Sequence, residues 1–451
     1  IRNFNLALGI NEAEFLAATQ GTYKLGIRFE GWGGFGESYM HAFGMVGRSL
    51  GLLPFHQYWL RARAEGLAGP LGDYVLNNVV AGENRFAHVD RAPGSPLPPL
   101  PYAYHFDAGL YARFLRTYAE ARGVTRQEGR IVDVLRHGES GDVAALRLSD
   151  GTLVEGDLFV DCSGFRSLLL GETLGVPYVS WAQWLACDRA VAVPSERTEP
   201  LVPYTRSIAE AAGWRWRIPL QHRTGNGHVF CSAQMSEDEA TRLLLAGLDG
   251  APLAEPRTLR FEAGRRARFW ERNVVAIGLA SGFIEPLEST SIHLVQTAIN
   301  RLLDFLPNGP VAAADRDQFN RLSEWEIERI RDFVILHYIA NGREGEPFWD
   351  RLRTAELPEG LAARIAMFKA TGRIVREGEE LFDVVGWAQV MIGQGIVPQR
   401  WHPLADQPER EQLAGFLDTI LEAYRRDAAR MPTHADHVAR FCPAGAIDAA
   451  A

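Results

Sequence analysis

Apolar and polar positions alternate along residues 22–30 and 129–160, the two-residue period of strands with one covered face. Elsewhere the period lengthens to that of a helix. Leu110, Phe114, Leu115 and Tyr118 share one face of 107–122, and Ile292, Leu294, Val295, Ala298, Ile299, Leu302, Leu303 and Leu306 recur at helical spacing. A third pattern, the unbroken apolar run Val274 to Ile277, suits a parallel strand covered on both sides. In order, these patterns predict a helix ending near 20, a strand over 22–30 and an amphipathic helix over 107–122. A small antiparallel hairpin or meander over 129–160 then delivers the chain to the main sheet at 158–161. Strands at 178–181, 189–193, 214–219 and 228–232 form a second sheet, and helices follow at 319–338, 360–371 and 409–429. Residues 71–86 and the Pro-rich stretch 93–101 read as an irregular excursion over the surface.

The chain's 451 residues exceed a typical single core of about 100–200, so two or three lobes are expected. A net charge of -9 argues against a nucleic-acid footprint, which needs a basic face. No apolar run approaches the ~20 residues of a membrane helix. Cys162, Cys187, Cys231 and Cys442 lack paired spacing, which suits a reducing, cytoplasmic setting and gives no disulfide or metal framework. His434 and His437 with Cys442 match no zinc spacing, so no metal is expected.

The most informative segment is 278–291, where a Gly-bearing turn joins the buried strand to a helix and holds two acids, Glu285 and Glu288. Ser289, Thr290 or Ser291 can cap that helix, and an acid near its start is favourable by roughly 0.3–1 kcal/mol. Capping does not by itself require Pro-Leu-Glu between two turns. The stretch 31–36 fits G-x-G-x-x-G, yet no helix opens on its third glycine and no acid ends a second strand about 20 residues on, so it reads as a flexible loop.

The hexapeptide E-P-L-E-S-T at 285–290 resembles the signature of flavin-dependent halogenases of the tryptophan halogenase family. Trp214, Trp216, Ile218 and Pro219 form the W-x-W-x-I-P pattern of the same family, and 157–166 and 104–107 resemble further segments in the same order. The resemblance implies an α/β, two-lobed flavin monooxygenase-like fold: a Rossmann-type FAD lobe, a strand-rich substrate lobe and a C-terminal helical region. The expected divisions are 1–30, the rest of the FAD lobe with the catalytic strand; 31–106, a loop-rich substrate side; 107–177, FAD-lobe helix, meander and strand; 178–270, the strand-rich substrate lobe; 271–309, FAD-lobe strand, halide turn and helix; and 310–451, helical. The chain starts at Ile1 without the family's G-x-G-x-x-G unit, so a missing segment of at least roughly 30 residues is expected.

The resemblance also assigns roles. FAD, as FADH2, and dioxygen oxidise a chloride or bromide ion to hypohalous acid, which halogenates an electron-rich, indole-like aromatic. Read alone, Lys24 is a solvated strand residue; by family position it and Glu288 are the catalytic pair, Glu285 being structural. Asp161, Gly164, Gly278 and Leu287 are the cofactor-binding positions, Thr290 and Ser291 the halide site, and His105, Phe106 and Trp387 the substrate pocket. Trp214 and Trp216 read alone are core, and the family motif separates halogenases from hydroxylases. A separate NAD(P)H-dependent flavin reductase is the expected partner, with neither nucleic acid nor membrane; a homodimer is left open.

Two other readings stand beside this one: an aromatic hydroxylase on the same fold, and an inert fragment unable to hold flavin. For the substrate, Trp387 matches a family tryptophan, but Gly386 replaces its phenylalanine and the tyrosine pair and asparagine that grip an amino acid are missing. Free tryptophan is therefore expected to be a poor substrate, and indole or a larger uncharged or carrier-bound aromatic a better one.

Overall fold

The computed structural model describes residues 1–48, 50–89 and 99–445, so positions 93–98 of the Pro-rich stretch lie outside the described residues. The chain divides into two compact units. One comprises Ile1, Leu115–Asp188 and Arg260–Arg331; the other comprises Arg2–Phe114, Arg189–Leu259 and the chain from Asp332 on. The segment 2–30 thus belongs with the second unit. No helix among the described residues is long and apolar enough to cross a membrane.

In the first unit the unbroken apolar run becomes the strand Val274–Ala276, buried at all three residues and parallel to Phe159–Asp161. Parallel pairing needs both faces covered, and Val143, Leu169, Leu170 and Ala280 supply that cover. Of the hairpin or meander expected here, the structure has the meander: Ile131–Arg136, Val143–Leu148 and Leu153–Glu155. Asn273 joins it to the parallel pair by bonding both the N–H and the carbonyl of Val143. The buried Asp161 carboxylate organises the next turn: one oxygen accepts from the Ser163 N–H and hydroxyl, the other from the N–H groups of Leu169 and Leu170.

The second unit is built on a seven-stranded sheet in the order Arg257–Arg260, Arg189–Glu196, Arg223–Phe230, Gly213–Pro219, Thr205–Glu210, β2 (Gly26–Glu30), β3 (Ser38–Ala42). Residues 22–30 are two strands rather than one. β1 (Thr22–Lys24) pairs instead with β4 (Ala103–His105), and the change of partner falls at Leu25, whose N–H bonds the Pro203 carbonyl and whose carbonyl takes the Phe43 N–H. Side-chain alternation runs unbroken through that point, so the pattern alone could not show the break. Tyr178–Ser180, expected in the second sheet, pairs with Gly264–Arg266 in the first unit, and Thr205–Glu210 is a strand the pattern did not reveal.

Two further expectations are revised. Residues 71–86 are largely helical, as Leu71–Tyr74 and Leu76–Gly82, with Tyr74, Val75, Leu76 and Val80 buried. The Gly-rich stretch 31–36 is the loop of the β2–β3 hairpin, and it is pinned: Trp32 is fully buried and donates its indole N–H to the Ser207 carbonyl. A Cβ on Gly342 would fall 1.8 Å from the Gly33 carbonyl, so the loop is clamped against bare backbone. The C-terminal region is helical, including Glu359–Thr371, Val384–Gly393, Arg410–Arg430 and His434–Phe441.

His434 latches that last helix to β1. Its Nε2 accepts the Tyr23 N–H at 3.1 Å, so its Nδ1 carries the proton and donates to the Leu201 carbonyl at 3.0 Å. Burial pushes the imidazole down to about 4, against the partial support of that carbonyl and with the adjacent His437 adding to the depression. The unfolded chain, titrating near 6.5, takes up a proton that the folded chain refuses. Stability is therefore full above about pH 6.5 and falls as the pH drops towards 4, by up to about 3 kcal/mol from this residue. Urea midpoints between pH 7 and pH 4.5 should fall for the parent chain and fall less steeply for His434→Gln, whose amide offers a donor and an acceptor but no titration. In the first unit, Asp161→Asn replaces an acceptor of paired N–H groups by a donor and should cost about 2–3 kcal/mol, read as a lower urea midpoint at pH 7.

Candidate active site

Lys24 is only 3% exposed, which overturns the solvated reading of a strand lysine. Burying an ammonium costs on the order of several kcal/mol, so the fold must hold it deliberately. The Phe43 ring lies 5.9 Å from Nζ, within reach of a cation–π interaction. The strand carrying Lys24 is fixed at every residue around it. Thr22 donates its hydroxyl to the Pro219 carbonyl, Tyr23 bonds His434, and Leu25 bonds Pro203.

Pro219 closes the W-x-W-x-I-P motif, which ties that motif to the lysine strand. Gln221, two residues on, adds bonds from its N–H to the Gln20 carbonyl and from its side chain to the Gly21 carbonyl. Trp214 is buried, with Trp216 and Trp32 rings 6.0 and 6.4 Å away. Trp216 lies over Gly227, its cross-strand partner, where an added Cβ would meet the indole at 2.0 Å. Ile218 pairs across the ladder with Gly225, where an added Cβ would lie at an ordinary 3.8 Å from it. The tryptophans thus fix the strand whose end holds β1.

His105 and Phe106, expected as pocket residues, both make framework contacts around β1. The Thr22 hydroxyl is already a donor to Pro219, so His105 Nδ1 donates to it, and Nε2 accepts from the Thr205 hydroxyl. Burial first, then the Lys24 charge, keeps this imidazole neutral by pushing it well below its usual range. Phe106 packs edge-on against Phe15 and Tyr111. Trp387 is 1% exposed, with the Arg364 guanidinium over its face at 4.3 Å and Phe333 edge-on, so its face is already occupied. Its indole nitrogen is buried without a hydrogen-bond partner among the described residues.

Sequence reasoning missed Phe43, whose ring lies 5.9 Å from Lys24 Nζ, and His41 two residues before it. His41 lies 5.4 Å from Phe333 and 6.1 Å from Phe382, whose rings stack at 3.7 Å. A Cβ on Gly386 would fall 3.0 Å from His41 Nε2, so His41 fills the space that a phenylalanine at 386 would need. The available signal was the spacing: His41 and Phe43 are two apart, sharing one face of a stretch that runs antiparallel to the segment after Lys24.

In the first unit, Gly164 and Gly278 both take left-handed backbone, at φ 72° and 70°, just past the carboxyl ends of the two parallel strands. Open α/β sheets bind ligands at such ends. An added Cβ at Gly164 meets nothing within 4 Å, so there is open space beside the turn. This arrangement fits a flavin. Asp161 offers it little, since both its oxygens already serve the turn, and the Leu287 N–H is spent on the Glu285 carbonyl.

Glu285 is fully buried, and Glu288 is 8% exposed on the single turn Pro286–Glu288. Ser289 then adopts φ 58°, a left-handed conformation that costs a side-chain-bearing residue energy and is concentrated at functional turns. The 14-residue helix Ser291–Asp304 starts next, with Thr290 in the N-cap position but no side-chain cap and no acid in its first turn. The buried Thr290 hydroxyl has no hydrogen-bond partner among the described residues. Uncapped amides beside an unsatisfied hydroxyl fit an anion. Among the described residues, no group of three or more His, Cys, Asp or Glu could hold a metal ion.

The family model for tryptophan halogenase matches residues 1–410. A flavin-dependent halogenase from Xanthomonas campestris is 48% identical, with a TM-score of 0.96 over 99% of this chain and 89% of that one. A second, from Brevundimonas sp. BAL3, is 44% identical with the same TM-score over 98% and 90%. Tryptophan 6-halogenase SttH of Streptomyces toxytricini is 32% identical over 95% of this chain and 88% of its own. The chain belongs to the tryptophan halogenase family, flavin-dependent enzymes that use reduced FAD and a halide.

Proposed function

We propose that this chain is an FADH2-dependent halogenase of a neutral, indole-like aromatic, with Lys24 and Glu288 as its catalytic pair. The observation that carries the reading is the burial of Lys24 beside Phe43 on a strand pinned at each neighbouring residue. The bound flavin, reduced by a separate NAD(P)H-dependent reductase, supplies with dioxygen the oxidation of chloride or bromide to hypohalous acid. Gly164 and Gly278 provide the bare turns for FAD, and Thr290 with the Ser291 amide provides the halide contact.

The Lys24 ammonium donates a hydrogen bond to the hypohalous oxygen, which holds the electrophilic halogen in one place. It passes that proton to the oxygen as the oxygen–halogen bond breaks, so that oxygen leaves as water; the proton later taken from the ring restores the ammonium. The ring forms its carbon–halogen bond, and Glu288 stabilises the cationic ring and accepts the proton lost from that carbon. Ring and hypohalous acid are thus converted to halogenated ring and water.

Support for a neutral substrate comes from the segment that would otherwise grip an amino acid. The Glu380 carboxylate is held by both Arg364 nitrogens, at 2.6 and 2.8 Å, and also accepts the Glu377 N–H. It is committed before any ammonium arrives. A zwitterion would then lose water from both charges without compensation, which costs several kcal/mol.

Lys24→Ala should abolish halogenation while flavin oxidation and peroxide release continue; product formed at the parent rate would remove Lys24 from the mechanism. Glu288→Gln should lose on the order of 10²-fold in rate; near-full activity would shift the role to another group. With equal indole and tryptophan, a flavin reductase and bromide, mass spectrometry should show halogenated indole in excess. Hydroxylated indole instead would favour the hydroxylase reading, and preferential halogenation of tryptophan would refute the neutral-substrate reading.

A further inference from the structure

The second unit contains a cavity of about 710 Å³ that none of these roles uses. Ser38, Tyr39 and Met40 all line it. Successive side chains of a strand point to opposite faces, so three consecutive residues can line one cavity only if it opens on the strand's backbone edge. β3 is an edge strand of the seven-stranded sheet, with β2 its sheet neighbour.

The register says which backbone groups face that opening. Phe43 N–H bonds the Leu25 carbonyl and Gly31 N–H bonds the Glu37 carbonyl, at the two ends of the β2–β3 ladder. Hydrogen-bonded pairs alternate in an antiparallel ladder, so Tyr39 and His41 face β2 while Ser38, Met40 and Ala42 turn their N–H and C=O outwards. At Ala42 both outward groups are taken by one primary amide: Gln389 accepts its N–H at 3.1 Å and donates to its carbonyl at 3.0 Å. At Ser38 and Met40 no backbone bond of this kind is made among the described residues. The edge therefore already binds an amide at one position and presents the next two to a cavity.

The walls match what flanks a backbone. Trp59, Leu60, Ile392, Ile396 and Trp401 offer apolar surface, while Arg28 and Arg63 face it against the single acid Asp73. In a chain of net charge -9, two arginines to one acid is a local reversal of sign. An isolated outward strand edge is also an aggregation hazard that folds usually cover or charge. We infer that the β3 edge and this cavity form a docking site for an extended, acidic segment of a polypeptide that carries the aromatic residue to be halogenated.

The inference rests on the halogenase reading for the reaction of the docked chain, but the docking itself is independent of it. A strand added at Ser38–Met40 would gain main-chain bonds of the kind seen in β-augmentation, with alternate side chains against the apolar wall and acids near the arginines. β3 leads on through His41 to Phe43, three residues beyond Met40, or about 10 Å at strand spacing. The docked segment would thus be anchored within a few residues of the ring that lies over Lys24.

The test uses a fluorescein-labelled decapeptide of Thr, Val and Glu with one Trp, its backbone N-methylated counterpart, and free indole. Binding is read by anisotropy and bromination by mass spectrometry. Met40→Pro removes the outward N–H without touching a bond to β2, a substitution that edge strands tolerate. Arg28→Gln alters the charge of the wall in case the proline disturbs the fold. The expected results are at least ten-fold weaker binding for the N-methylated peptide, for Met40→Pro and for Arg28→Gln, with indole bromination by both variants unchanged. Equal binding of the two peptides, or no effect of either variant, would overturn the inference. So would concentration-dependent self-association lost in Met40→Pro, which would assign the edge to a second copy of the chain. If indole is not brominated while the peptide binds as expected, the halogenase reading fails and the docking site stands.

Discussion

The structure of the second unit depends on keeping one lysine out of water. Taking the Lys24 ammonium below the surface costs on the order of several kcal/mol, and a mobile strand would recover that cost by letting the side chain out. β1 cannot do so, because Thr22 and Leu25 are tied to Pro219 and Pro203 and Tyr23 to His434, partners from two distant parts of the chain. One of these ties runs through His434, and a second histidine, His105, bonds the Thr22 hydroxyl; burial keeps both neutral. A charged imidazole at either place would lose the acceptor that its partner hydroxyl or N–H requires, and at His105 it would also repel Lys24. The neutrality of these rings and the charge of the lysine are one arrangement.

This gives the W-x-W-x-I-P motif a physical role in this chain. Trp214 and Trp216 are large, rigid groups, and the glycine opposite Trp216 lets its indole lie flat on the neighbouring strand. The strand's position is thereby set by packing, and its terminal carbonyl at Pro219 passes that position to Thr22, two residues from Lys24. The motif therefore acts on the lysine strand through the backbone.

Much of this was legible in the sequence. The parallel strand at 274–276 was marked by an unbroken apolar run, the meander at 131–155 and the helix at 291–304 by a strong period, and each exists. The change of sheet at Leu25 was hidden because alternation passes through it unbroken, and strand partners at 103 and 203 leave no trace in a local pattern. The helices at 71–82 were masked by glycine and proline, whose local preference was overridden by the burial of Tyr74, Leu76 and Val80. Lys24 was placed by resemblance alone, since a single charged residue in a strand carries no sign of its depth. His105 drew attention by its type and Phe43 did not, yet the histidine is spent on two threonines and the phenylalanine stands over the lysine.

The same lysine constrains the substrate. A carboxylate about 4 Å from an ammonium gains roughly 4 kcal/mol at an effective dielectric of 20, comparable to the whole of a modest catalytic contribution. In the role proposed for Lys24, a substrate bearing an unsatisfied carboxylate near it would therefore compete with hypohalous acid for the positioning group. Proteins that accept an amino acid must hold its charges elsewhere. Here the acid in the corresponding stretch, Glu380, is already neutralised by Arg364, and the space at Gly386 is closed by His41. Neutral rings avoid the conflict. A residue within a polypeptide avoids it too, because its carboxylate and ammonium have become amides, the groups that the outward edge of β3 is built to pair.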